Sequence, residues 1–191
     1  MAFPTITPNS LSLVSVNPTR ITTTLNGIDQ RQSSTGQYFK LTAQFDNLEQ
    51  ANQRLIFNHI HSVSGPLTSF TFALPSYLGN STGGYSGTVT VTASAAIGAS
   101  TVSITAGPVL KAGDLIKFAS HDKLYVVAAD ITSASTSLTF TPPLRTVVQS
   151  SSLITHRSLS ISVRYATDNQ EFSMGADQFP SFSIEFIEVL T

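Results

Sequence analysis

Four histidines, eleven acids and many serines are the groups in this 191-residue chain best suited to chemistry. Histidine and carboxylates supply general acid–base catalysis or ligate metals, and serine beside a base supplies a nucleophile. Cysteine is absent, so disulfides and thiolate metal sites are excluded. His59 and His61 stand two apart in a segment with helical periodicity. Two helical positions differ by about 200°, so these imidazoles face different sides and make a poor joint metal site. A partly exposed histidine near a helix end, where a cation is electrostatically tolerated, is the simpler reading.

His121-Asp122 and Asp130 could be cast as a metal cluster or an acid–base pair. They flank one predicted strand and belong at its opposite ends, which separates them. A hydrolase would need His59, His121 or His156 to converge with a carboxylate and a nucleophile. Asp168, Glu171 and Asp177 form a loose acidic set before the last strand, with a spacing that fits no calcium loop. Gly79-Asn80-Ser81-Thr82-Gly83-Gly84 lacks the Gly-Lys-Ser/Thr ending of a phosphate loop and reads as a linker. Most serines read as outward positions of strands. The expectation is a protein that is not an enzyme, with no catalytic, cofactor-binding or metal site.

The elements around these residues are mainly strands. Ser10 to Val16 alternates Leu11 and Leu13 with serines, as a half-buried strand requires. Residues 20–25 and 28–32 flank Asn26-Gly27, a strong hairpin signal. Residues 37–45 place Phe39, Leu41, Ala43 and Phe45 on one face. One helix is expected over about 48–62, with Leu48, Ala51, Leu55, Ile56 and Ile60 at helical spacing. Asp46 with Glu49, or Asn47 with Gln50, can form a capping box, and Gly65-Pro66 ends the helix. Phe70-Thr71-Phe72 is again strand.

A glycine-rich stretch over 77–87 reads as a boundary. Beyond it short strands at regular spacing (89–92, 101–104, 115–118, 124–127, 138–140) suggest a small barrel or sandwich, with Gly113 supplying a permissive φ in the Lys111–Asp114 turn. Long alternating strands return at 159–165 and 182–189. The predicted organisation is a β-sandwich or split-barrel body of residues 1–78 and 151–191, carrying one amphipathic helix. An inserted β module occupies 85–150.

Only 11% of residues are charged, against a usual value of about 25%, while Ser and Thr make up about a quarter. A net charge of −1 provides no field to gather phosphate, so no sequence-specific nucleic-acid binding is expected. Met1-Ala2-Phe3-Pro4-Thr5 lacks a basic leader, and no run reaches the roughly 18 apolar residues of a membrane span. Synthesis in the cytosol without a membrane anchor is expected.

Three stretches carry a resemblance to a known family. They are Pro8-Asn9-Ser10-Leu11-Ser12-Leu13, the strand and helix from Gln37 to His61, and the inserted run from Ala106 through Gly113-Asp114 to Phe118 with Lys123-Leu124-Tyr125-Val126-Val127. Together they resemble the distal-tail and baseplate-ring proteins of tailed bacteriophages, over most of the chain and without a catalytic signature. The resemblance implies a tail-tube-like body forming a homo-oligomeric ring, a hexamer being favoured, with tail-tube, hub or fibre proteins as partners. It implies residence in the virion tail after synthesis in the bacterial cytoplasm. Other virion roles fit the same texture: head–tail joining, tail completion or capsid decoration. A carbohydrate-binding adhesion protein would instead show an exposed aromatic or acidic patch on 88–149.

Overall fold

A computed structural model describes residues 2–33, 36–76, 87–169, 172–174 and 180–190. In chain order the elements are β1 (Ser10–Val16), β2 (Thr19–Thr23), β3 (Asp29–Ser33), β4 (Tyr38–Phe45), α1 (Gln50–Ser62), β5 (Phe70–Ala73), β6 (Val89–Thr90), β7 (Thr101–Ser103), β8 (Leu115–Phe118), β9 (Leu124–Val127), β10 (Ser137–Thr141), β11 (Leu153–Thr155), β12 (Ser160–Tyr165), β13 (Phe172–Met174) and β14 (Pro180–Glu188). The fold is mainly β and antiparallel, with one α-helix among the described residues, as the patterning predicts. Two compact units are present, Met1–Phe70 with Val163–Leu190 and Thr71–Ser162.

One sheet runs β1-β4-β14-β12-β5, with β13 also paired to β14, and its strands β1, β4, β13 and β14 belong to the first unit. Its register follows from period-two patterning. Phe39, Leu41, Ala43 and Phe45 of β4 are buried, while Lys40 and Gln44 face outward. On β14, Phe182, Ile184 and Phe186 lie opposite Phe45, Ala43 and Leu41. A one-residue slip would turn this whole apolar row outward, so the register is strongly specified. Aromatic rings fill the space over the sheet. Phe3 lies 5.8 Å from Phe45 and 5.7 Å from Phe186, and Phe70 lies 5.0 Å from Tyr165. Such edge and offset contacts add to the burial of the rings themselves. Glu188 is also buried, and its Oε2 accepts the Phe39 backbone N–H at 2.9 Å.

Helix α1 follows Asn47, which turns the chain at φ 53°. Its N-cap is Glu49, in extended backbone and without a side-chain cap bond, so neither expected capping box forms. Its buried face also differs from the periodicity reading. Ile56 and His59 are buried and Ile60 is half-buried, whereas Ala51 and Leu55 are exposed. The helix is rolled so that His59, ringed by Phe3, Phe70 and Tyr165, takes an inward position. An imidazole packs there because its ring is flat and its polar edge finds a phenol.

The second unit is a small barrel. Its strands run β6-β11-β8-β9-β10-β7, and the two end strands are joined to each other. Val91 bridges Ile104, the Thr92 N–H donates to the Ser103 carbonyl, and the Thr105 N–H donates to the Thr90 carbonyl, both at 2.9 Å. The interior holds Val89, Val91, Val102, Ile104, Ile116, Phe118, Tyr125, Leu138 and Phe140, with Leu110, Leu144 and Val148 from its loops. These contacts join the two ends of the sheet. Strand β11, which the alternation did not reveal, pairs with both β6 and β8.

Candidate functional site

Each histidine has its own local partner. His59 Nδ1 lies 3.0 Å from the Tyr165 hydroxyl, and its Nε2 is buried without a hydrogen bond. Burial holds its pKa below the ordinary imidazole value and pushes the Tyr165 phenol above the ordinary tyrosine range. The pair is therefore neutral near pH 7. The side chain expected to be partly exposed is in fact buried, whereas His61 faces solvent, its ring tilted against Phe57 with centroids 4.1 Å apart. The two histidines do point different ways.

In the barrel, His121 Nδ1 lies 2.7 Å from the Tyr125 hydroxyl. Burial lowers its pKa, and the Val147 backbone carbonyl and the Asp122 carboxylate partly offset this. Its Nε2 is buried without a hydrogen bond. His156 Nε2 meets the Gly87 carbonyl at 3.3 Å. In these contacts the imidazoles meet phenol and backbone-carbonyl oxygens.

The acids have structural positions. Asp130, set at the far end of β9 from His121, accepts the Ala112 N–H at 2.9 Å and the Lys111 Nζ at 2.6 Å. These contacts hold its carboxyl below the usual range. Buried Asp114 accepts the Lys111 N–H at 2.8 Å, and Gly113 takes φ 97° between them. The Lys111–Asp114 turn is thus clamped by two carboxylates. Asp122 lies 3.4 Å from the Ser162 hydroxyl. Among the described residues no group of three or more histidines and acids is placed to hold a metal.

Asp168 is exposed in the turn after β12, and Glu171 and Asp177 lie outside the described residues. So does the stretch 79–84. Its Gly79-Asn80-Ser81-Thr82-Gly83 also has the letter spacing of a nucleophile elbow. In the barrel, the aromatic residues Phe118, Tyr125 and Phe140 are all core residues.

What the structure presents outward is apolar surface and strand edge. β1 is the end strand of its sheet and contains no charged residue, proline or glycine. β2 and β3 form a separate two-stranded ribbon. Every residue over 19–32 except Thr24 is exposed, including Ile21, Leu25 and Ile28. The Leu25-Asn26-Gly27 turn closes with Thr24 N–H donating to the Ile28 carbonyl at 2.9 Å, and only Gly27 uses a positive φ. On α1, Leu55 and Phe57 are half exposed. A groove of about 510 Å³ lies at the C-terminal end of the helix, lined by Ile60, His61, Val63, Gly65, Tyr165, Asp168 and Asn169.

The sequence offered one signal for this surface. Residues 19–32 are polar on both strand faces around an apolar turn, as a ribbon with no sheet to cover would be. No known protein family and no curated protein matches the chain.

Proposed function

We propose that this chain is a non-enzymatic structural subunit of a phage tail or baseplate, assembling into a ring and docking neighbouring tail proteins. The observation that carries the reading is the open edge of the first unit, whose end strand β1 is uncharged. Free proteins guard such an edge with lysine, proline, a bulge or a covering loop. A ring guards it by pairing it with the next subunit. The exposed ribbon with its apolar turn supports the same reading, because an isolated two-stranded hairpin is marginal in water. So does the scarcity of charge, which lowers the desolvation cost of large subunit contacts.

The buried barrel aromatics favour assembly over carbohydrate stacking, for which exposed rings are needed.

Sedimentation velocity across a range of concentrations, with negative-stain electron microscopy of the purified chain, tests the proposal. Closed rings of one size are expected. A chain that stays monomeric at the highest concentrations, and that binds no tail-tube or hub protein, would overturn it.

A further inference from the structure

We infer that the β2–β3 ribbon of one copy seats its Ile21–Arg31 face in the groove at the end of α1 of the next copy, with the Arg31 guanidinium on the Asp168 carboxylate. The inference rests on the self-association reading and names its contact. Ile21 and Arg31 are directly opposed across the ribbon, so they share one face. That face presents an apolar side chain beside a cation. The groove offers a counterpart, with half-buried Ile60 beside exposed Asp168, over a floor to which the buried Val63 and Tyr165 contribute.

Lys111 pairs with Asp130 in the barrel, whereas among the described residues no ion pair is seen for Arg31 or Asp168. Asp168 lies beside Gly65 at the rim of the groove. A Cβ on Gly65 would come within 3.1 Å of its Oδ1, and Gly65 itself takes φ 53°. A bidentate guanidinium contact is the geometry in which arginine gains most from a carboxylate.

Placement identifies the occupant as a second copy. The ribbon springs from the β1–β4 pair, between partners Val16 and Tyr38. The groove lies at the end of β12, in the half of the sheet that terminates at β5. Two unlike surfaces at opposite sides of one sheet make a heterologous contact, the kind that closes into a ring when the rotation permits. The apolar turn residues Leu25 and Ile28 extend past Ile21 and would cover further apolar surface on the neighbour.

Charge exchange tests this in the full chain. Arg31→Asp and Asp168→Arg should each raise the concentration required for assembly by roughly tenfold or more, and the chain carrying both should recover. Because the protein has no cysteine, Arg31→Cys with Asp168→Cys should give a disulfide-linked ladder of multimers under oxidation, where each single variant stops at dimers. Circular dichroism should show all variants folded, since both positions are exposed. If the wild type forms rings and the charge variants assemble equally well, with no ladder from the double cysteine chain, the ribbon contact is overturned while the ring reading stands. If the wild type does not self-associate at all, both fall.

Discussion

The two units solve the same problem in opposite ways. Both are built of sparsely charged strands with an apolar face, many of them bearing serine or threonine. The barrel bends its strands round until β6 and β7 meet, so that the two ends of its sheet are joined. The other sheet stops at β1 and β5, and its neighbouring ribbon covers nothing. Composition is therefore a poor guide to which part of this molecule associates. The useful distinction is closure, because a closed sheet has satisfied its backbone groups alone and an open one has not.

The largest effect should come from breaking each core in turn. Phe140, in the barrel, and Phe186, in the open sheet, are both fully buried. Truncation of either to alanine is expected to cost about 3–5 kcal/mol. The contrast lies in concentration dependence. Loss at Phe140 should be the same at low and high protein concentration, whereas loss at Phe186 should shrink as assembly stabilises the folded first unit. Urea unfolding followed at two well-separated concentrations measures this. Equal behaviour of the two variants would erase the distinction between a self-sufficient barrel and a sheet that needs neighbours.

A smaller effect is expected from guarding the open edge. Val14 is half exposed on β1, and Val14→Lys places a charge where free proteins carry one. Stability of the isolated chain should change by no more than about 0.5 kcal/mol. Assembly should weaken, read as a lower sedimentation coefficient at matched concentration. A matched control on the closed barrel, Thr139→Lys at an exposed position of β10, should leave the sedimentation unchanged. If both lysines act alike, edge openness is not what drives association.

Much of the fold is legible in the sequence because local patterning and tertiary structure agree. Phe39 to Phe45 alternates in the chain and is buried in alternation, and the barrel strands from 115 to 127 fall where apolar runs end in turn residues. The departures occur where tertiary contacts decide. Leu55 has the right spacing for a core position, yet the aromatic cluster of Phe3, Phe70 and Tyr165 accepts His59 and rolls the helix away from it. Phe3 comes from a segment with no periodicity, so its place in that cluster could not be read locally. Strand β11 is only three residues long, too short to show a period. Barrel closure depends on a single bridge between Val91 and Ile104, residues thirteen apart that carry no special signal. The outward surface is harder still, because an exposed Leu25 and a buried Leu41 look alike until the sheet exists.

The subtlest comparison joins the two units through their histidines. Each contains a buried imidazole with Nδ1 on a tyrosine hydroxyl and Nε2 without a hydrogen bond of good geometry. In both, burial lowers the folded-state pKa below the unfolded value of about 6.5. The unfolded chain therefore binds more protons, and stability is full above about pH 6.5 and declines as pH falls below it. His121 has the Asp122 carboxylate and Val147 carbonyl to soften the loss, whereas neither partly offsets the burial of His59. His59→Gln should accordingly flatten the fall in thermal midpoint between pH 7.5 and 5 more than His121→Gln does. An equal flattening would mean that the carboxylate near His121 does not reach its imidazole. No flattening in either variant would place the acid sensitivity elsewhere and leave the two phenol contacts as packing alone.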